Sequence, residues 1–179
     1  MEIFWVIILI VILVLLLAFA VFLLLYTFFL QILPMAFGGA FFAKSSDEKI
    51  KKMILLAGIN PGDKVLDLGS GDGSLVIELA KREAKAYGYE ISPYLVWLSK
   101  GKIKKAGLSS AFIFQKNFWK EDLSEFDVIF VYGIKYMMPR LEKKLKKELK
   151  PGTKIISNYF VFPNLKPQKE NGEARLYII

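Results

Sequence analysis

The 179-residue chain contains no cysteine and no histidine. Without cysteine there is no disulfide framework, thiolate-bound zinc, iron–sulfur cluster or thiol nucleophile. Without histidine there is no Ser-His-Asp triad and no imidazole metal site. Any chemistry must run on carboxylates, hydroxyls, amides, backbone groups or a bound cofactor, and no metal is expected. One end of the chain also lacks charge. Residues 1–43 carry a single charged side chain, Glu2, while residues 44–179 hold all 25 bases against 16 acids. The sequence is therefore two objects, an apolar leader and a basic domain of a size suited to one core.

Ile3 to Leu30 is 28 residues without a charge, and 23 of them are Leu, Ile, Val or Phe. As a helix this run measures about 42 Å, against about 30 Å of hydrocarbon in a bilayer. A cleaved signal peptide would need a basic start, a shorter apolar run and a prompt small-residue cleavage site, none of which is present. Residues 3–30 are thus expected to lie in the lipid bilayer as one span. The flanking bases Lys44, Lys49, Lys51 and Lys52 predict the N-terminus outside and the following domain in the cytoplasm. Pro34 is expected to end the span and Gly38-Gly39 to form a joint. Phe37, Phe41 and Phe42 suit either the headgroup level or a fold over the domain.

Beyond the joint, strand and helix patterns alternate. Ser45 with Glu48 reads as a capping box opening a helix through Ala57. Strands are expected at Lys64–Leu68, Ala86–Glu90, Ala111–Gln115, Phe126–Tyr132, Thr153–Phe162 and Ala174–Ile179. Helices are expected at Ser74–Glu83, with Leu75, Ile77, Leu79 and Ala80 as its apolar positions, at Pro93–Ala106 and at Pro139–Leu149. This alternation predicts an α/β fold with an open, mostly parallel sheet and a ligand crevice at the C-terminal strand ends.

The informative segment is Val65-Leu66-Asp67-Leu68-Gly69-Ser70-Gly71-Asp72-Gly73-Ser74. A buried strand runs into three alternate glycines, and a helix follows whose first turn offers donors and a positive dipole end. The next strand ends on Glu90, an acid placed to accept both ribose hydroxyls of an adenosine ligand. A dinucleotide fingerprint G-x-G-x-x-G would need glycine at Ser74, and there is no P-loop. The order of strand, acid, glycines, helix, strand and acid suits S-adenosylmethionine (SAM) better than NAD.

Asp67–Gly73 with Glu90 resembles the Rossmann-like (class I) SAM-dependent methyltransferases. Gly88–Trp97, Asn117–Lys120 and Tyr136–Leu145 resemble one branch more closely. That branch includes membrane-anchored lysine methyltransferases acting on the adenine nucleotide translocase and the ATP synthase c-subunit, with small prokaryotic relatives. The resemblance implies a Rossmann-like sheet with flanking helices and an antiparallel C-terminal strand. It implies that Asp67, Gly69, Ser70 and Gly71 hold the methionine end of SAM, that Glu90 binds the ribose, that Ile91 flanks the adenine, and that Asn117 and Phe118 sit at its edge and face. This chain has Asn117 where the branch often has Asp, Ser92 where it often has Asn, and no prolines in Ala40–Lys44.

The acceptor is expected at the end of the fourth strand, where Tyr132 and Tyr136 can orient an amine, with Asn158 at the end of the next strand. Tyr132 and Asn158 equally suit a merely structural ending of the sheet. Asp127 is expected at the wrong end to act as a base. Trp97 is read as core and Trp119 as either adenine-side wall or core. The Met137-Met138 pair is read as packing at a helix start. Lys143, Lys144, Lys146, Lys147 and Lys150 read as a solvated face, or one lying against anionic headgroups. Nucleic acid is not expected, because aromatic interleaving is absent.

The expected division is an anchor over residues 1–33, a joint with a capping helix over 34–57, and a methyltransferase domain over 58–179. The expected activity is methylation of a lysine on a membrane-associated protein partner. Methylation of a lipid, quinone or small amphiphile, or SAM binding without turnover, remains open at this point.

Overall fold

The computed structural model describes the backbone of residues 2–36 and 45–179, and the side chains of 2–28 and 45–179. The expected Gly38-Gly39 joint and the residues Phe37, Phe41 and Phe42 lie outside the described residues. The chain separates into two compact units, Met1–Phe41 and Phe42–Ile179.

The first unit is one helix, α1 (Glu2–Ala36). Pro34 does not end it, since the helix continues to Ala36. Leu17 and Trp5 are 66% and 64% exposed, and the run is apolar on every side. Glu2–Phe28 is long and apolar enough to cross a membrane.

The second unit begins with α2 (Asp47–Ala57). Its cap is Ser46 rather than Ser45: the Ser46 backbone is extended, and its hydroxyl accepts from the Lys49 amide at 3.4 Å. Glu48 does not close a capping box, since its carboxylate pairs with Lys52 one turn on at 2.6 Å. The strands are β1 (Lys64–Leu68), β2 (Lys85–Glu90), β3 (Ala111–Gln115), β4 (Val128–Val131), β5 (Lys154–Asn158), β6 (Lys169–Asn171) and β7 (Ala174–Ile178). They form one sheet in the order β3-β2-β1-β4-β5-β7-β6. The pairs β3-β2, β2-β1, β1-β4 and β4-β5 are parallel, while β7 is antiparallel to β5 and to β6. The order reverses direction at β1, so the crevice opens at the C-terminal ends of β1 and β4. Asp127 precedes β4 and accepts from the Lys64 amide at 2.8 Å, at the opposite end of the sheet.

Helices α2, α3 (Ser74–Ala80) and α4 (Pro93–Lys105) pack on one face, around Ile50, Met53, Val76, Leu79, Val96 and Ile103. Helix α5 (Met138–Glu148) covers the other face, with Leu141 and Leu145 fully buried among Phe126, Ile129, Ile155 and Tyr177. Met137 and Met138 are buried at its start, as the sequence predicts.

Helix α3 stops at Ala80 instead of Glu83, because Glu83 takes a left-handed φ of 63° and turns the chain back. Within it Val76 is buried and Ile77 only partly so. Strand β5 ends at Asn158, where Tyr159 adopts a φ of 70° and the Phe160 amide donates back to the Asn158 carbonyl at 2.9 Å. Trp97 is not core: it is 71% exposed, beside Tyr94 at 6.3 Å between ring centroids. Where α4 meets the glycine loop it needs a small residue, since a Cβ added at Gly73 would lie 2.9 Å from the Ser99 Cβ.

The basic run on α5 is not one solvated face. Lys144 is largely covered, pairing with Glu148 at 2.7 Å and donating to the Glu121 carbonyl, and Lys146 pairs with buried Glu142 at 2.6 Å.

Leu145→Ala is expected to cost about 2–5 kcal/mol of stability by opening a cavity under α5. Lys147→Ala, on the exposed side, is expected to cost less than about 0.5 kcal/mol. Denaturant midpoints of the two variants check both figures.

Candidate functional site

The loop after β1 is held by β2. The Gly69 and Ser70 amides both donate to the Tyr89 carbonyl, at 2.9 and 3.1 Å. The Gly71 amide donates to Glu90 Oε2 at 2.9 Å, and Ser99 Oγ on α4 shares its one proton between the Gly71 carbonyl at 2.9 Å and the Leu95 carbonyl at 2.5 Å. One peptide group on each side of Gly71 is thus fixed by a different element. Two glycines are needed where backbone and side chain crowd. Gly73 combines a φ of 76° with the approach to Ser99, and a Cβ at Gly88 would stand 2.5 Å from Ser70 Oγ.

Glu90 is 7% exposed, and its other oxygen, Oε1, accepts the Ser92 amide at 2.8 Å. Each carboxylate oxygen has a second lone pair. The carboxylate therefore retains two acceptor positions after both backbone bonds are made, which is the number a ribose diol requires.

The dipole end of α3 is already used. Asp72 Oδ1 accepts from the Ser74 amide at 3.2 Å and from its hydroxyl at 2.7 Å, while Oδ2 meets Lys102 Nζ at 2.6 Å. Burial works to raise the Asp72 carboxyl, but the bonds from Lys102 and Ser74 outweigh it and hold the group below its ordinary value. The donors and dipole end expected at this turn are thus taken by the protein's own carboxylate, because an Asp two residues ahead of a helix is a natural partner for its first amide.

Asp67 has the opposite environment. It is 8% exposed, and its carboxyl is pushed up to about 7, by burial first and then by Glu90 and Asp72. It lines a cleft of about 40 Å³ with Ser70, Asp72, Tyr132, Ile50 and Met53. Ser70 Oγ is buried against Gly88 and has no hydrogen-bond partner among the described residues. An acid held up in this way is relieved by a cation, and an orphaned hydroxyl by a polar ligand. The cleft therefore fits the ammonium end of an amino acid and repels a pyrophosphate.

The remaining expected residues spread over the same edge of the sheet. Ile91 is partly buried directly after Glu90. Asn117 Oδ1 accepts the Trp119 amide at 3.1 Å, opening a short 3-10 turn, Phe118–Lys120, and leaving the amide –NH2 as the donor. Phe118 is 9% exposed and packs on Trp119 at 4.8 Å between centroids. Trp119 is partly buried, with the Arg140 guanidinium 4.3 Å over its ring. Tyr132 joins the Asp67 cleft, whereas Tyr136 is 62% exposed and lines neither described cavity beside the crevice. Asn158 follows the last β4-β5 pair, as Tyr132 does, but it floors a different cavity. Ser99 and Lys102 support the loop without being singled out by the sequence, and Ser92, noted there only as a departure from the branch, supports it through Glu90.

Residues 67–169 match the family described as the ANTKMT methyltransferase domain. The ATP synthase c-subunit lysine N-methyltransferase of Mus musculus is 35% identical over 134 residues, 74% of this chain and 54% of that protein. The protein-lysine N-methyltransferase of Saccharolobus islandicus is 32% identical over 131 residues, 72% of this chain and 81% of that protein. This chain spans about half the length of the mouse relative. Among solved structures, an RNA methyltransferase from Salinibacter ruber in complex with S-adenosyl-L-homocysteine superposes with a TM-score of 0.70. It is 28% identical, and the match covers 76% of this chain and 92% of that one.

The raised Asp67 carboxyl makes stability depend on pH. Between about pH 4 and about pH 7 the folded chain keeps a proton there that the unfolded chain releases. This contribution is complete below about pH 4 and lost as pH rises to about 7. Asp67→Asn removes it, so the stability of the variant relative to the native chain is expected to climb from about pH 4 to about pH 7 and then level off. Denaturation midpoints across that range test it; a pH-independent difference would overturn the assignment.

Proposed function

The chain belongs to the ANTKMT methyltransferase domain family, and from this premise we propose that it methylates a lysine side chain of a membrane-associated protein, with SAM as donor. The observation that carries the reading is the pairing of a buried, uncompensated Asp67 with a Glu90 that retains two acceptor positions, in a chain whose relatives are protein-lysine methyltransferases.

Bound SAM supplies an electrophilic methyl on a sulfonium. The protein's part is to bind, orient and exclude. Asp67 and Ser70 hold the ammonium end, Gly69 and Gly71 let the backbone come close, and Glu90 takes the ribose hydroxyls. Ile91 flanks the adenine, with Asn117 donating its amide N–H to the ring edge and Phe118 backing the face. Tyr132, Asn158 and Tyr136 orient the acceptor amine at the ends of β4 and β5. A lysine amine must first lose a proton, which at pH 7 costs roughly 4.6 kcal/mol from a reference pKa of about 10.4. An apolar entry lowers that cost by disfavouring the charged form. No residue is assigned as general base, since methyl transfer in line rests mainly on alignment.

The proposal includes the chain's organisation: a single-pass membrane anchor over residues 1–33, a joint and capping helix over 34–57, and a methyltransferase domain over 58–179. Residues 3–30 lie in the bilayer, and Lys44, Lys49, Lys51 and Lys52 keep the domain on the cytoplasmic side. The length and uniform apolarity of Glu2–Phe28 support this arrangement.

Two measurements test the reading. Glu90→Ala is expected to weaken SAM binding at least about tenfold by calorimetry, since one lost bond to a charged acceptor is worth about 1.4 kcal/mol or more. Equal affinities would mean that another group holds the ribose. Incubating the full chain with membranes and methyl-labelled SAM is expected to label a protein band. Label confined to the organic extract would identify a lipid or quinone acceptor instead, and SAM binding without any label would identify a sensing module.

A further inference from the structure

Beside the Asp67 cleft, at the C-terminal end of β5, lies a second cavity of about 180 Å³ between the first turn of α2 and the β6-β7 hairpin. Its floor is Asn158, which is 2% exposed and whose side-chain Nδ2 has no hydrogen-bond partner among the described residues. A buried amide donor left unpaired is costly, and such groups in folded chains are normally satisfied. The group that matches this donor is an acceptor, such as a main-chain carbonyl.

The rim carries charge of both signs. Glu173, on the hairpin, meets Lys49 Nζ of α2 at 2.8 Å, and Lys52, which also lines the cavity, pairs with Glu48 at 2.6 Å. Glu173 and Lys49 thus join the two walls of the cavity. Their side chains are 48% and 43% exposed, so the pair is a weak one that water and salt already screen. The Glu173 carboxylate raises the Lys49 ammonium above its ordinary value, burial opposes this, and the Tyr132 and Tyr159 hydroxyls add smaller contributions of the same sign as Glu173. A lysine side chain of the protein itself therefore already occupies the Glu173 carboxylate at the rim of this cavity.

We infer that Glu173 is the receiving carboxylate for the ammonium of an incoming lysine, that Lys49 is its internal stand-in, and that Asn158 Nδ2 donates to a carbonyl of the incoming segment. Exchange of one ammonium for another on Glu173 is nearly neutral, while the Asn158 amide gains the bond it lacks. Glu173 acts as a docking residue for the charged amine at the entrance. It takes no proton during transfer. Lys49 is a competitive plug that raises the concentration at which acceptors bind. The inference rests on the lysine-methyltransferase reading above.

The test is steady-state transfer from methyl-labelled SAM to poly-L-lysine by the full chain and its variants. Lys49→Met is expected to lower KM for poly-L-lysine about threefold, and Glu173→Gln to raise it about threefold, both with kcat within about twofold of the native value. Lys49→Arg is expected to restore the native KM. The opposite signs matter, because a merely structural ion pair would be weakened in the same way from either side. Unchanged KM values, or shifts of the same sign, with transfer intact overturn the inference and leave the lysine reading standing. If neither the native chain nor Lys49→Met labels poly-L-lysine while both bind SAM, the lysine reading fails and the inference with it.

Discussion

The structure turns on the Gly71 peptide. Its amide is held by Glu90 from β2 and its carbonyl by Ser99 from α4. Three units of the fold, the β1 loop, the end of β2 and the α4 helix, are thereby locked to one another at the mouth of the crevice. The contact is dense enough that Gly73 and Gly88 cannot carry a side chain without displacing Ser99 or Ser70. Because Glu90 spends only half its acceptor capacity on this task, the residue that builds the loop is also able to read a ligand. Structural and binding roles coincide in one carboxylate.

Around that lock the charges are sorted by compensation. The domain is basic overall, yet three acids converge on the crevice. Asp72 is neutralised by Lys102, and Glu90 is hydrogen-bonded to backbone amides. Asp67 is left with burial and two like charges, which raise its carboxyl to about 7. A site that keeps one such acid is prepared for a cationic group at that spot. This is a physical reason why the glycine loop suits an amino-acid-bearing adenosine better than a dinucleotide, independent of the spacing of its glycines.

Much of this was legible in the residues. The strand, acid and glycine order located the crevice, and the alternation of elements located the parallel sheet. Leu141, Leu145 and Leu149 marked the buried stripe of α5. The misreadings share one cause, which is that burial direction depends on neighbours distant in sequence. Trp97 looked like core because it is large and apolar, but the buried side of α4 is the one that carries Val96, Ser99 and Ile103, and Trp97 lies off it. Lys144 looked solvated, but its ammonium is drawn onto the domain by the Glu121 carbonyl, which lies far from it in sequence. Strand β6 is Lys-Glu-Asn, a polar trio with no periodic signal, and it exists because β7 offers it a free edge. The shift of the α2 cap from Ser45 to Ser46 is a single-residue matter that two adjacent serines cannot resolve by type.

The sequence by itself determined an apolar helix long enough to span a bilayer, a parallel α/β domain and an acid-flanked glycine loop. These follow from local periodicity and from residue types that only certain backbone shapes tolerate. Only the tertiary structure decided which carboxylate is free. Whether Asp67, Asp72 or Glu90 has a partner depends on α4 and β2 folding over the loop and bringing Lys102 and the Ser92 amide within reach. Charge compensation is a through-space property, and no spacing along the chain encodes it.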